Sequence, residues 1–110
     1  MKFSAEEKQQ IAKTIISQMG GAGRLSAMIA FYNVALASDD KGNTGVSFHF
    51  RGSRKATICQ VIYNYATDLY DVKLYRIRKA ELINVAEIDG AYCDQLVEFF
   101  ESNTGLYLSL

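Results

Sequence analysis

Apolar positions near the start of the chain repeat at helical spacing. Ser4 and Glu7 form a capping-box pattern, in which each side chain satisfies the backbone N–H of the other residue. The apolar stripe that follows is Ile11, Ile15, Ile16 and Met19. Gly20-Gly21 ends the stripe, since glycine adopts the left-handed C-terminal conformation at little cost. This pattern predicts a helix over residues 5–19.

The middle of the chain alternates between apolar and polar residues, which is typical of half-buried strands. The clearest case is Val46, Phe48 and Phe50, set against Ser47, His49 and Arg51. Further strands are predicted over residues 57–65 and 69–77, with a fifth, shorter strand over 82–88. Residues 25–36 are apolar on both phases and are also predicted as a strand, although their alanines weaken the pattern. Turns are expected at residues 39–43, 52–53 and 66–68.

The last third of the chain predicts a second amphipathic helix. Asp89 is expected to cap it, with Asp94 in the first turn, where the helix dipole favours a negative charge. Its apolar stripe is Tyr92, Leu96, Val97 and Phe100, and the segment Asn103-Thr104-Gly105 ends it. The tail, residues 106–110, is apolar, so we expect it to pack against the body or a partner.

Together these elements predict one α+β domain of 110 residues. Successive strands joined by short turns favour an antiparallel meander of four to five strands. The N-terminal and C-terminal helices are expected to pack on one face of this sheet, because each face must be either buried or polar. The opposite face would then remain open for contacts.

Charge is unevenly distributed along a chain whose net charge is zero. Residues 49–79 contain seven basic and two acidic side chains, whereas the rest of the chain contains five basic and ten acidic ones. The basic residues of this window are Arg51, Arg54, Lys55, Lys73, Arg76, Arg78 and Lys79. A solvated sheet face beside solvated helices would produce this pattern, and so would a surface that contacts a charged partner.

No residue pattern points to catalysis. His49 lies on the polar phase of its strand, and the sequence shows neither a positioned nucleophile nor an orienting carboxylate. The glycines of residues 20–23 follow a helix and precede a predicted strand, so we interpret them as a connector rather than a phosphate loop.

Cys59, in a strand, and Cys93, in a helix, are interpreted as reduced, half-buried residues. One histidine and two scattered cysteines do not form a recognisable metal-ligand set. The chain is therefore predicted not to be an enzyme and to need no cofactor.

The remaining candidate is a binding surface on the open sheet face. Tyrosines fall among the basic residues there, and the predicted binding residues are Arg51, Arg54, Lys55, Tyr63, Tyr65, Lys73, Tyr75 and Arg76. Such a surface suits stacking on bases and contacts with phosphates. It also suits a protein partner, because Tyr and Arg are common at interface hot spots. The alternative is that most of these tyrosines belong to the core, as the phase of Tyr70 with Val72 and Leu74 predicts for that residue.

Several segments taken together resemble a group of small proteins encoded by bacteriophages and prophages. The matching segments are Gly45 to Phe50, Asp68 to Val72, Ile77-Arg78 and the ending Thr104-Gly105-Leu106-Tyr107-Leu108-Ser109-Leu110. The resemblance spans most of the chain, and the ending is its most distinctive motif. It carries over no functional residues. It implies a setting, the cytoplasm of an infected bacterium.

In that setting, we expect a phage accessory protein that binds a host protein, and inhibition of a defence system such as CRISPR–Cas is one such role. Its acidic flanks (Glu6, Glu7, Asp94, Glu98 and Glu101) could face a nucleic-acid-binding complex. Two alternatives remain open: a nucleic-acid-binding module that uses the basic, tyrosine-bearing sheet face, and a virion assembly protein whose apolar tail docks between copies. The N-terminus has no apolar leader and no stretch approaches transmembrane length, which predicts a cytoplasmic protein with no membrane partner.

Overall fold

The computed structural model describes residues 3–108. Three α-helices and five β-strands follow one another in the order α1-α2-β1-β2-β3-β4-β5-α3. Their bounds are α1 Ala5–Gln18, α2 Ala22–Ile29, β1 Tyr32–Ser38, β2 Thr44–His49, β3 Ile58–Asn64, β4 Leu69–Arg78, β5 Glu81–Ala91 and α3 Leu96–Thr104, the last preceded by a short 3₁₀ turn, Cys93–Gln95. No helix of this part of the chain is long and apolar enough to cross a membrane.

The strands form one antiparallel sheet in the order β1-β2-β3-β4-β5, so the predicted meander is confirmed. Each strand is hydrogen-bonded to its neighbours in the sequence, because the connections are short hairpin turns and one eight-residue loop over residues 50–57. Gly45 and Ile62 face each other across the β2–β3 pair. A Cβ atom at Gly45 would overlap the carbonyl oxygen of Val61, so only glycine allows these two strands to approach so closely.

All three helices pack against the same face of the sheet, as predicted for the terminal helices. One core cluster joins Ile15 of α1, Leu25 of α2 and Phe100 of α3 to the inward side chains of the strands. The inward set includes Val46, Phe48, Cys59, Val61, Val72 and Leu74. The ring of Phe100 contacts that of Phe50 edge to face, with 4.9 Å between the centroids.

The first helix begins as the sequence predicts. The backbone N–H of Ser4 donates to Oε1 of Glu7 at 2.9 Å, and the backbone N–H of Glu7 donates to the Ser4 hydroxyl at 3.1 Å. The backbone N–H of Ser4 first, and the Ser4 hydroxyl second, stabilise the Glu7 carboxylate and so lower the pKa of this carboxyl.

The strand prediction over residues 25–36 is wrong for its first half. Residues 22–29 form α2, and the strand starts only at Tyr32. Leu25 and Ile29 lie one turn apart on the buried side of this helix, so the segment uses helical rather than alternating periodicity. Ala30, at φ 49°, ends α2 in the left-handed conformation.

The start of the final helix also differs from the prediction. Asp89 does not cap it, because β5 continues to Ala91 and is the longest strand rather than a short one. The Gln95 side chain, through Oε1, accepts a 2.8 Å hydrogen bond from the backbone N–H of Tyr92 as the 3₁₀ turn begins. Tyr92 itself is exposed and does not belong to the apolar stripe. Gly105 ends α3, as predicted.

The apolar tail folds back onto the body. Leu108 is buried, and its backbone N–H donates to Oε2 of Glu101 at 2.8 Å. Leu106 is half-buried against the core, whereas Tyr107 is exposed. Ser109 and Leu110, the last two residues of the predicted apolar tail, lie outside the described residues.

Both edge strands are irregular. In β1 the register shifts between Tyr32 and Ala35, where Asn33 takes a positive φ of 51°. In β5 the register shifts twice, opposite the steps from Tyr70 to Val72 and from Leu74 to Tyr75. The turn end of the β4–β5 hairpin also projects beyond β3. Tyr75 is the last residue of β4 that pairs with β3, so residues 76–78 pair only with β5.

Candidate functional site: the open sheet face and the basic end

Among the described residues, 3–108, no helix packs on one face of the sheet. We define the open face by the side chains that alternate with the core residues: Tyr32, Ala35, Ala37, Ser47, His49, Ile58, Gln60, Ile62, Asn64, Asp71, Lys73, Tyr75, Asn84 and Glu87. Residues that face each other in register form rows across the strands. One such row runs from Ala35 through Ser47, Gln60 and Lys73 to Glu87. The open face is therefore a continuous surface of mixed charge.

An aromatic and basic cluster lies at one corner of the open face. The rings of Tyr32 and His49 are 5.2 Å apart, because the two residues pair across β1 and β2. The guanidinium carbon of Arg51 lies 4.5 Å from the centre of the Tyr32 ring, a cation–π contact. The same row continues through Ile58 to Tyr75. This arrangement presents two tyrosines, a histidine and an arginine to one approaching partner.

The opposite end of the open face contains a cleft of about 450 Å³. Its lining includes Asp39, Asp40, Lys41, Gln60, Ile62, Asn64, Thr67, Asp71, Lys73, Asp89 and Gly90. Four carboxylates against two ammonium groups make the lining acidic. Ile62 is only 5% exposed although it lies on the open face, so it forms an apolar floor beneath this charged rim.

Hydrogen bonds fix the carboxylates of the cleft in place. Asp39 accepts from the backbone N–H groups of Lys41 and Asn43, both at 2.9 Å, and from the Asn43 side-chain amide at 3.0 Å. Burial alone would raise the pKa of the Asp39 carboxyl, but these bonds outweigh it and lower the pKa. Asp71 accepts from the backbone N–H of Gly90 at 3.0 Å, where the chain takes a φ of 76°. Asp39 therefore shapes the β1–β2 turn, and Asp71, in β4, holds the bend of β5 at Gly90.

The structure brings only some of the predicted binding residues onto one surface. Lys73 and Tyr75 lie on the open face, and Arg51 joins them at its corner through Tyr32. Lys55 and Arg76 instead line a cavity of about 380 Å³ on the helix side, together with Ser102 and Asn103 of α3. Arg76 follows Leu74 at a spacing of two, so it projects toward the helix side of the sheet.

The remaining predicted tyrosines lie away from the open face. Tyr63 packs against the core side, and its hydroxyl donates to Oδ1 of Asp68 at 2.6 Å. Tyr65 lies in the β3–β4 turn, 53% exposed, with its ring 6.0 Å from that of Phe3. Tyr70 is a core residue, as predicted. Arg54 is exposed in the loop that joins β2 to β3.

Sequence reasoning missed the polarity of the sheet along the strand direction. One end, made of residues 50–57 and 76–84, contains Arg51, Arg54, Lys55, Arg76, Arg78 and Lys79 with the single carboxylate of Glu81. We call it the basic end. The other end, residues 38–44, 64–71 and 88–91, contains Asp39, Asp40, Asp68, Asp71 and Asp89 with the single ammonium of Lys41. The sheet gathers basic segments that are distant in sequence at one end and acidic segments at the other. A count of charges along the chain does not reveal this separation.

The described side chains supply little for catalysis. His49 contacts the Tyr32 ring at a tilt of 46° and is half-buried within the sheet row. Cys59 is fully buried, which raises the pKa of its thiol, whereas Cys93 is exposed; both are free thiols. Each had been expected to be half-buried, and Cys93 lies in the 3₁₀ turn before the helix. Within residues 3–108, no group of three or more His, Cys, Asp or Glu side chains is arranged to hold a metal ion.

Comparison with known proteins adds no further constraint: no protein-family model, no curated protein and no solved structure matches this chain. The functional argument therefore depends on the two surfaces described above, the open face and the basic end.

Proposed function

We propose that this chain is a non-enzymatic binding protein that contacts another protein through its open face. The observation that carries the proposal is the uncovered sheet surface, with an aromatic and basic corner at one end and an acidic cleft at the other. Tyrosine and arginine are enriched at interface hot spots, and Tyr32, Tyr75 and Arg51 are three such residues on one surface. A face with both charge signs selects a partner with the complementary arrangement.

The size of the face is compatible with a specific but modest interface. Five strands about 4.8 Å apart and about 20 Å long cover roughly 500 Å². A standard interface buries about 800 Å² on each partner. The loops at the ends of the sheet, including residues 39–43 and 50–57, would have to supply the difference. A partner that uses the face alone would dissociate quickly.

The resemblance to bacteriophage and prophage proteins makes the partner a protein of the bacterial host. An effector of a defence system, such as a CRISPR–Cas component, fits this proposal, because many such effectors present basic nucleic-acid-binding surfaces. The acidic cleft then offers the chemistry that such a surface recognises. Asp94, Glu98 and Glu101 line a second acidic hollow with Ser102 and Tyr107 on the helix side, and the proposed contact does not use it.

The alternatives from the sequence receive less support. Nucleic acid on the open face would have to lie over the four carboxylates of the cleft, and Lys73 there lies opposite Glu87. Like-charge repulsion opposes this placement. Assembly through the tail would need its apolar side chains free, whereas Leu106 and Leu108 pack against the chain's own core. A host protein on the open face thus remains the leading proposal.

The test is capture of host proteins with a matched pair of variants. Ser47→Arg places a long cationic side chain at the centre of the open face, and Ser102→Arg places the same side chain on exposed α3. Tagged wild type and both variants would be incubated with bacterial lysate, cross-linked and analysed by mass spectrometry. We expect one partner, cross-linked at Lys73 or Lys41, to be retained by Ser102→Arg and lost with Ser47→Arg.

Circular dichroism and thermal melting of both variants show whether each is folded. Loss of the partner with Ser102→Arg and its retention with Ser47→Arg would place the contact on the helix side and contradict the proposal. Cross-links confined to α1 or α3 would have the same meaning.

A further inference from the structure

The β4–β5 hairpin extends beyond the rest of the sheet as a two-stranded ribbon. Past Tyr75, β4 pairs only with β5, through Arg76↔Ile83, Ile77↔Leu82 and Arg78↔Glu81. We call residues 76–83 the ribbon. Three ladder pairs at about 3.4 Å per residue give it a reach of roughly 10 Å. The ribbon is the most prominent feature of the basic end.

The ribbon has two chemically different faces. Ile77 and Leu82 pair on one face and are 50% and 60% exposed. The other face carries Arg76 opposite Ile83 and Arg78 opposite the single carboxylate of Glu81, and Lys79 follows at the turn. Exposed paired aliphatic residues at the tip of a hairpin contribute nothing to the core, so they indicate a contact with something outside the chain.

The turn at the tip is also locally unfavourable. Lys79 and Ala80 form a two-residue connection with φ values of 51° and 65°. A hairpin loop with positive φ at both positions favours Asn-Gly, because side chains with a Cβ are strained there. A lysine in place of asparagine places a charge at the outermost point of the ribbon.

Basic residues of the neighbouring loop flank the ribbon. Arg54 and Lys55 are exposed in residues 50–57, and Lys55 lines the same cavity as Arg76. Nε of Arg76 is buried without a hydrogen-bond partner. The ribbon and this loop together present five cations to the same approaching ligand. Arg54 and Lys55 lie at the base of the ribbon, whereas Arg76, Arg78 and Lys79 lie along it and at its tip.

We propose that the ribbon enters the major groove of double-stranded DNA, with Arg54 and Lys55 on the phosphates that flank it. The major groove of B-form DNA is about 12 Å wide and 8.5 Å deep and admits a two-stranded β-ribbon. The reach of the ribbon matches that depth. Arg76, Arg78 and Lys79 contact phosphates or guanine edges, and Ile77 and Leu82 contact thymine methyl groups.

Two features favour duplex DNA over other polyanions. The major groove of A-form RNA is too narrow and deep to admit the ribbon. An acidic protein segment would satisfy the charges but would leave the Ile77–Leu82 pair without a matching groove. The carboxylates at the far end of the sheet repel the backbone, so DNA binds at one end only. Ile77 and Leu82 continue the open face past Tyr75, but the charged contacts are made by Arg76, Arg78 and Lys79, which do not belong to the open face, so the two proposals can be tested separately.

The test is fluorescence anisotropy with a labelled 20-base-pair duplex of mixed sequence, from 25 to 200 mM salt. Each phosphate contact makes the slope of log affinity against log salt concentration more negative by about 0.9. We therefore expect a slope of about −4 to −5 for wild type. The triple variant Arg76→Ala/Arg78→Ala/Lys79→Ala should bind at least tenfold more weakly, with a slope less steep by about 2.5.

The matched control is Lys8→Ala/Lys13→Ala/Arg24→Ala, which removes the same charge from α1 and α2. It should leave the slope and the affinity within about twofold of wild type, and equal weakening by both triple variants would overturn the proposal. Ile77→Ser/Leu82→Ser should weaken binding severalfold without changing the slope. Circular dichroism establishes that each variant is folded.

Three further outcomes would overturn the assignment. One is undetectable binding of the duplex at 25 mM salt. Another is equal affinity for an RNA duplex of the same length, and the third is equal affinity for an oligoglutamate of the same charge. Host-protein capture by the Arg76/Arg78/Lys79 triple variant should persist, which separates this proposal from the one for the open face.

Discussion

The side-chain oxygen of Asn43 accepts a 3.1 Å hydrogen bond from the backbone N–H of Tyr65, 22 residues further along the chain. Asn43 is only 7% exposed, and its amide nitrogen donates to Asp39 at the same time. One side chain therefore joins the β1–β2 turn to the β3–β4 turn. The acidic cleft is shaped by this connection.

Replacing Asn43 by alanine should destabilise the protein. The change leaves the Tyr65 N–H without its protein acceptor and removes a donor from Asp39, which is expected to cost about 1–3 kcal/mol. Urea denaturation measures the change. Asn64→Ala is the control, because its side chain bonds only to the nearby backbone N–H of Ala66 in an exposed turn. A loss for Asn43→Ala no greater than for Asn64→Ala would contradict the bridging role.

The Tyr63–Asp68 hydrogen bond predicts a pH dependence above neutrality. The pKa of the Tyr63 phenol is raised to about 12. The main cause is the hydrogen bond that the phenol donates to the Asp68 carboxylate, and burial is the second. A folded-state pKa above the unfolded value near 10 means that the stabilisation is complete below pH 10 and is lost as the pH rises from 10 to 12. Comparison of ultraviolet titrations of wild type and Tyr63→Phe isolates this ring. In Asp68→Asn, the ring should ionise closer to pH 10; an unchanged midpoint would show that Asp68 is not the cause.

Replacement by alanine should change the stability of the protein in opposite directions at two glycines. A Cβ at Gly45 overlaps the Val61 carbonyl oxygen and comes within 2.7 Å of the Ile62 Cα atom. Gly45→Ala is therefore expected to cost more than about 3 kcal/mol or to prevent folding. Gly23 lies inside α2 with open space around it, so Gly23→Ala should stabilise by about 0.5–1 kcal/mol. Thermal melting of both variants tests the pair, and destabilisation by Gly23→Ala would contradict the assignment of α2.

The tail offers a further matched pair. Leu108 is 1% exposed and Tyr107 is 69% exposed. Leu108→Ala should cost about 2–3 kcal/mol through loss of burial and the resulting cavity, whereas Tyr107→Ala should change stability by less than about 0.5 kcal/mol. Light scattering of the same samples reports the oligomeric state. Dissociation of an oligomer by Tyr107→Ala without loss of stability would revive assembly through the tail.

The parts of the fold that could be predicted are those with a single dominant periodicity. The capping box and stripe of α1 and the alternation around Phe48 each allow one interpretation. Residues 22–29 did not allow a single interpretation. Their alanines and glycine fit both the helical and the alternating period, so only Leu25, Met28 and Ile29 remain as a helical signal. Asp89 suggested a helix cap, but Gly90 lets β5 bulge and continue, so the strand extends past a residue that usually ends one.

The candidate surfaces were only partly predictable, because alternation gives the face of a residue but not its neighbours. It correctly placed Lys73 and Tyr75 together. It could not show that Tyr32 would lie beneath Arg51, since that contact depends on the irregular register that pairs Tyr32 with His49, two residues before Arg51. Tyr63 was assigned to the open face as part of a tyrosine cluster, although its spacing from Cys59 and Val61 indicates the core side. The strands on both sides of the ribbon turn were predicted, but the projection of this hairpin past β3 was not, because alternation does not give the register between strands.

The irregular pairing of β1 and β5 bears on how the molecule behaves at high concentration. A sheet with two regular borders would invite identical chains to add strands and grow into aggregates. Here Asn33 and Gly90 bend the outermost backbones, so an arriving strand would find its ladder interrupted after a few residues. Protection against such edge pairing comes from the same bends that shape the corner of Tyr32 and the cleft beside Asp71, so straightening either border would expose a strand edge and alter a candidate surface together.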